Sequence, residues 1–154
     1  MILDIGCGVH PKGDVNVDFV AGGDFGTKST KANVYASVYH LPFRDKSFEV
    51  VTFVGLLHHL KTVHCAACDS PHGDQHGWHE MLRVCKDVVL GYEPNLNVVF
   101  PRDPTEKHHL YSRKRVLWPI LRPHPGFTVT LDRLFLWRQK RTDWRIIAIR
   151  KRPV

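Results

Sequence analysis

The chain has 154 residues, 43% hydrophobic and 24% charged, enough for one globular domain with a proper core. No stretch approaches the roughly 20 apolar residues of a membrane span. The apolar start carries Asp4 and lacks a basic flank, which excludes a secretory leader, and four cysteines then fit a reducing cytoplasm better than a disulfide framework. The net charge of +7 is uneven: residues 1–101 hold 8 Lys and Arg against 11 Asp and Glu, residues 102–154 hold 14 against 4. Such a basic C-terminal third suits an anionic partner, nucleic acid first, or a solvated face that aids solubility.

In chain order, "LDIGCG" opens the pattern. Ile2 to Ile5 reads as a buried strand that enters a tight turn at Gly6 and Gly8. "VNVDF", Val15 to Phe19, is a second strand with an acid near its end. A loop from Ala21 to Lys31 precedes a weak third strand, "ANVYA". "FEVVTFV", Phe48 to Val54, has the continuous β-branched and aromatic run of a central strand. Residues 61–75, rich in His, Cys, Pro and Gly, read as a loop. Trp78, Met81, Leu82 and Cys85 then fall on one stripe of an amphipathic helix. "DVVLGYE" is a fifth strand, stopped by Pro94. Val116, Leu117, Ile120 and Leu121 predict a helix near Ser112 to Arg122, interrupted by Pro119. "FTVTLDRLF" and "WRIIAIR" predict an antiparallel hairpin with a polar, basic turn.

Strands alternating with helices predict an α/β, Rossmann-like doubly wound fold. Its sheet is mostly parallel, ends in an antiparallel hairpin, and forms a single domain over residues 1–154. Ligands of such sheets collect at the carboxyl ends of the strands, where the glycines of "LDIGCG" and Asp18 stand. Only nine residues, Gly6 to Asp14, separate the first two strands. A parallel crossover with its helix takes at least about 10–12, so the first helix is expected to be abbreviated, to about one turn.

"LDIGCG", "NVDF" and "HLPFRDKSFEVVTFVGLLHHL" (His40 to Leu60) together resemble the class I S-adenosylmethionine-dependent methyltransferases. The likeness continues weakly through "WHEMLRVCKDVVLGYEPN" and "PGFTV". It implies an enzyme that uses S-adenosylmethionine, and it assigns roles by position. Gly6, Cys7 and Gly8 would form the turn against the methionine part. Asp4 would orient that turn or the ammonium group, and Asp18 would hold the ribose hydroxyls. Ser37 and Val38 would lie beside the adenine, and Val54 and Gly55 would face the methyl donor. The chain departs from the pattern in several places. His10 replaces a third glycine, Ser37 the usual adenine-side acid and Glu49 the usual Asp, and "CKD" stands where Pro-Gly-Gly is common. Relatives mostly carry helices ahead of the first strand that cap the site, so here the site is expected to be open, or to be closed by the loop at Lys61 to Gly77, a second subunit or a large substrate.

Other constellations admit two readings each. His58 and His59, after the fourth strand, suit a general base for the acceptor, or a capping and packing role. Cys65, Cys68, His72 and His76 provide two thiolates and two imidazoles, a donor set for tetrahedral zinc. Their spacing is shorter than that of a usual finger, and a metal-free loop is the competing reading. Trp137, Arg138, Lys140, Arg141, Trp144 and Arg145 mix aromatics with cations, as surfaces that stack bases and neutralise phosphates do. They equally suit a hairpin with one apolar and one basic face. Three functions stand: a small-molecule methyltransferase, placed slightly first; a methyltransferase of nucleic acid or protein; and a non-catalytic binding module. A homo-oligomer is compatible with each, and a membrane partner with none.

Overall fold

The computed structural model describes residues 1–19, 30–57, 60, 76–93, 124–136 and 141–152. They form one seven-stranded sheet in the order β3-β2-β1-β4-β5-β7-β6. The strands are β1 (Ile2–Ile5), β2 (Val15–Asp18), β3 (Val34–Tyr35), β4 (Phe48–Val54), β5 (Cys85–Glu93), β6 (Phe127–Leu136) and β7 (Arg141–Arg150), with helix α1 (His76–Val84) before β5. The first five run parallel, and β7 is antiparallel to both β5 and β6. The expected α/β sheet with a terminal hairpin is therefore present. The expected helix near 112–122 lies outside the described residues.

The core fills one face of the sheet. Leu3, Val51, Val89 and Ala148 share a row across four strands and are all fully buried. The next row is Ile5, Phe53, Gly91 and Ile146. Helix α1 covers these rows with Trp78, Met81, Leu82 and Val84, the Trp78 ring standing edge-on to Phe53. Gly91 has a steric reason: a Cβ there would run into the Phe53 ring, so the glycine makes room for the aromatic.

Three expectations are corrected. The first crossover contains turns and bends but no helix. Side chains and a close backbone approach replace it. Lys12 N–H donates to Asp4 at 2.9 Å, Gly13 and Asn16 exchange two hydrogen bonds, and Asp14 N–H reaches the Ile2 carbonyl. A Cβ on Gly13 would sit 2.8 Å from the Asp4 nitrogen, so only glycine lets the loop lie this close to β1. Cys85 is the first residue of β5, not the last of the helical stripe. It is fully buried, as the stripe requires, but pairing with Phe48 across a bulge draws it into the sheet. The third strand shrinks to two residues at the sheet edge.

Candidate cofactor site

The carboxyl ends of β1, β2 and β4 converge on the glycine turn. Gly6 and Gly8 both hold positive φ, 69° and 54°, a region open to glycine at little cost. Gly6 N–H donates to the Val17 carbonyl at 2.8 Å, tying the turn to β2. Asp18 completes the link. Its Oδ2 accepts from Gly8 N–H at 2.8 Å and lies 2.9 Å from the Thr30 hydroxyl. That hydroxyl is also 3.0 Å from the Gly8 carbonyl, and its single proton serves one of the two acceptors at a time. Asp18 Oδ1 accepts from Phe19 N–H at 2.8 Å. The short crossover thus brings Asp18 directly beside the glycine turn. Thr30 joins them from the loop before β3, a residue sequence reasoning did not single out.

Asp4 lies beneath this turn, 4% exposed. It accepts from Lys12 N–H and, at 3.2 Å, from the Thr52 hydroxyl of β4. Its demonstrable task is to fix the crossover loop. Cys7 is buried, and burial pushes its thiol above the ordinary value, so it is no ready nucleophile. Val54 is 53% exposed at the end of β4. Gly55 follows with φ 61°, its N–H donating to the Tyr92 carbonyl at 2.7 Å.

The segment after β4 is held by an unexpected residue. Glu93, 2% exposed at the end of β5, accepts from Leu56 N–H at 2.8 Å and Leu57 N–H at 2.7 Å. Leu56 in turn lies against the glycine turn: a Cβ on Gly6 would sit 3.2 Å from its Cδ1. Gly6, Gly55 and Leu56 therefore share one side of the site. Beside Glu93, the Tyr92 hydroxyl donates to Asp143 of β7 at 2.7 Å, and Asp143 is fully buried.

On the far side, Ser37 Oγ accepts from Tyr39 N–H at 3.2 Å and the Ser37 carbonyl from His40 N–H at 3.0 Å. Val38 buries its side chain in the core, so its backbone is what it presents outward. The "LPFRDKSF" segment that follows is clamped by α1. Glu80 accepts from Leu41 N–H at 2.9 Å. Arg83 pairs with Glu80 and Asp45 and donates to the carbonyls of Leu41 and Phe43.

His58, His59, Cys65, Cys68 and His72 lie outside the described residues. His76, the fourth of the suggested zinc donors, opens α1, with its ring 5.2 Å from that of His40. Its Nδ1 is buried without a partner among the described residues. Burial, with His124 and His76 nearby, pushes His79 below the ordinary imidazole range. No cluster of three or more metal-binding side chains occurs among the described residues.

The turn's residues fit a cofactor. Among the described residues a Cβ at Gly8 would meet nothing within 4 Å, so none of them blocks a ligand's approach to this backbone, with the Asp18 carboxylate beside it.

No family model and no curated protein matches the sequence. Solved structures do match it. A S-adenosylmethionine-dependent methyltransferase from Methanosarcina mazei aligns at TM-score 0.56 and 17% identity, over 97% of this chain and 91% of that one. One from Thermotoga maritima, described as a possible histamine N-methyltransferase, aligns at 0.58 and 16%, over 97% and 82%. A 16S rRNA (adenine(1408)-N(1))-methyltransferase from Catenulisporales acidiphilia, solved with its cosubstrate S-adenosylmethionine, aligns at 0.56 and 14%, over 99% and 85%. The chain has the fold of the class I S-adenosylmethionine-dependent methyltransferases.

Proposed function

We propose that this chain is an enzyme that binds S-adenosylmethionine over the carboxyl edge of β1, β2 and β4 and transfers its methyl group to a small-molecule acceptor. One arrangement carries the reading: the glycine turn and the Asp18 carboxylate, tied by a 2.8 Å hydrogen bond at the carboxyl edge of a sheet that solved methyltransferases share. The sulfonium of the cofactor makes methyl transfer favourable, so the protein's task is to place the acceptor in line with it. Gly6, Cys7 and Gly8 would lie against the methionine part and Asp18 would take the ribose hydroxyls. Asp4 would hold the turn in place through Lys12. Ser37 and the Val38 backbone would flank the adenine, and Val54 and Gly55 the methyl donor. His58 and His59 remain the proposed bases, where the acceptor needs one. Residues 1–154 would form a single cytoplasmic domain, and zinc in the Cys65, Cys68, His72 and His76 loop is a separate proposal, tested by metal analysis of protein prepared without chelator.

Calorimetry with S-adenosylmethionine tests the cofactor. Asp18→Ala and Gly6→Val should each abolish or strongly weaken binding, and Asp18→Ala should leave the fold intact. Undiminished binding by Asp18→Ala would mean that the ribose lies elsewhere. A parent protein that fails to bind the cofactor would favour the non-catalytic module.

A second reading, methylation of nucleic acid, rests on the placement of the basic hairpin. β6 ends and β7 begins on the same edge as the glycine turn, since β7 is antiparallel to β5. Arg133 there lies over the Trp144 ring at 5.2 Å, and one of the matched structures is an rRNA methyltransferase. Replacing Arg138, Lys140 and Arg141 by Gln should then lower RNA affinity and reduce the salt slope by about 0.7 per lost single-strand phosphate contact. An unchanged slope would leave the small-molecule reading ahead.

A further inference from the structure

One buried contact joins two parts of the core through a titratable ring. The indole N–H of Trp78, in the first turn of α1, donates to Nε2 of His124 at 3.1 Å. The two residues are 1% and 8% exposed. An indole nitrogen can only donate, so Nε2 of His124 carries a lone pair and the ring is neutral, with its proton on Nδ1. A second proton on this ring would set N–H against N–H and break the bond. His124 also opens a turn that holds itself. Phe127 N–H donates to the His124 carbonyl at 3.1 Å, and Pro125 followed by Gly126 at φ 78° makes the central pair of a type II turn. Lys151 N–H, just after β7, ties the Gly126 carbonyl at 2.8 Å. The turn therefore stays on the sheet whether or not the His124 ring lies on α1.

We infer that the Trp78–His124 contact is a pH-operated latch, closed while His124 is neutral and opened when its imidazole takes a second proton, which frees the entry to β6 from α1. The sign follows from the bond. The closed form holds no proton at Nε2, whereas an open imidazole binds one near its ordinary value of about 6.5. Closure is therefore full above about pH 6.5 and weakens about tenfold for each pH unit below it. The titratable and charged groups around the ring oppose a cation there. On α1, the His79 ring lies 5.6 Å from that of His124, with His76 one turn before it. On β7, the Arg150 guanidinium stands over Phe127 at 4.3 Å, at the other end of the turn. His79 acts in the same direction as His124. Burial first, then His124 and His76, hold it below its ordinary 6.5, so its contribution is present above 6.5 and is lost as pH falls through the folded value.

Nuclear magnetic resonance of the full chain tests this. The Trp78 indole N–H is assigned through its neighbour, the Phe53 ring, and its hydrogen exchange is followed from about pH 7.5 to about pH 5. Protection relative to a free indole should fall by about tenfold or more between about pH 6.5 and about pH 5, with unchanged circular dichroism. His124→Gln offers a side-chain carbonyl that accepts from the indole without titrating; it should keep the protection and lose the pH dependence, while His79→Gln should keep both. Long-range nitrogen–proton correlation of His124 needs no variant, should His124→Gln fail to fold. It should show Nε2 unprotonated at about pH 7.5 and protonated as the indole loses protection. A protonated Nε2 at the upper pH, protection that ignores pH, a full pH dependence that survives in His124→Gln, or a chain that unfolds as a whole over this range overturns the inference.

Discussion

Replacing Glu93 by Ala probes how the site is held. The carboxylate is 2% exposed and accepts two backbone N–H groups, from Leu56 and Leu57. Hydrogen bonds to a charged acceptor contribute about 1.5–3 kcal/mol each, and a buried N–H left without a partner costs about 1–3 kcal/mol. Leu57 is buried, whereas Leu56 is half-buried and water can reach its N–H, so the lower half of the summed range applies. Glu93→Ala should therefore destabilise by about 3–4 kcal/mol, a large fraction of the 5–15 kcal/mol typical of a domain. Glu93→Gln keeps one carbonyl oxygen and should cost about 1–2 kcal/mol. Urea unfolding at neutral pH reads both values from the shift in midpoint. The same loss should reach the cofactor. Leu56 lies beside Gly6, and a freed segment after β4 no longer supports the turn, so S-adenosylmethionine affinity of Glu93→Gln should fall about tenfold, or ~1.4 kcal/mol. A Glu93→Ala variant within about 0.5 kcal/mol of the parent would refute the reasoning, because it would show that the two N–H groups find water or other acceptors at no cost.

Gly91→Ala should destabilise by about 1–3 kcal/mol, since its Cβ meets the Phe53 ring in the middle of the sheet; thermal and urea unfolding measure it, and a neutral result would mean that the ring moves aside freely. Tyr92→Phe removes the hydroxyl bonded to buried Asp143 and should cost about 1–2 kcal/mol, read in the same unfolding experiments. For Glu80, burial favours the neutral form, but the bonds from Arg83 and from Leu41 N–H outweigh it and hold the carboxyl below its ordinary value. Its folded value being the lower one, its contribution is present above the unfolded value of 4.5 and is lost as pH falls through the folded value. Urea midpoints of Glu80→Gln and the parent should accordingly converge as pH is lowered below 4.5, and a gap independent of pH would show that the clamp does not rest on the charge.

Most strands were legible because they declare themselves locally; the two-residue β3 is the exception. "FEVVTFV" gives β4 to the residue, and the alternation in β6 and β7 reflects a real two-faced hairpin. The glycine turn and Asp18 were legible because positive φ and a strand-ending acid leave direct marks in sequence. Glu93, Thr30 and Gly13 leave no such mark. Thr30 and Glu93 act on residues 12 to 37 positions away, and Gly13 acts through an approach that only the folded backbone defines. The boundary at Cys85 was misread because a buried cysteine satisfies helix stripe and strand alike. What separates them is a ladder partner, Phe48, far off in the chain.

The missing crossover helix changes how the turn is kept rigid. In a full βαβ unit the helix that follows the glycine turn fixes it and aims N–H groups at the ligand. Here Gly6 to Asp14 contain no helix, so rigidity must come from elsewhere, and it comes from carboxylates. Asp4 fixes the middle of the loop through Lys12, Asp14 fixes its end through Ile2 N–H, and Asp18 fixes its start through Gly8. Three acids thus stand where one helix would, all within the acidic part of a basic chain. Asp18 is the one of the three on the open side of the turn. A carboxylate has about four lone-pair sites, and Gly8, Phe19 and Thr30 already use three of those on Asp18. A ribose that took two would have to displace the Thr30 hydroxyl, which has the Gly8 carbonyl at 3.0 Å as its alternative acceptor. The hydroxyl can therefore turn from one acceptor to the other without losing its hydrogen bond, which would let the acid that braces the turn take the proposed ribose as well.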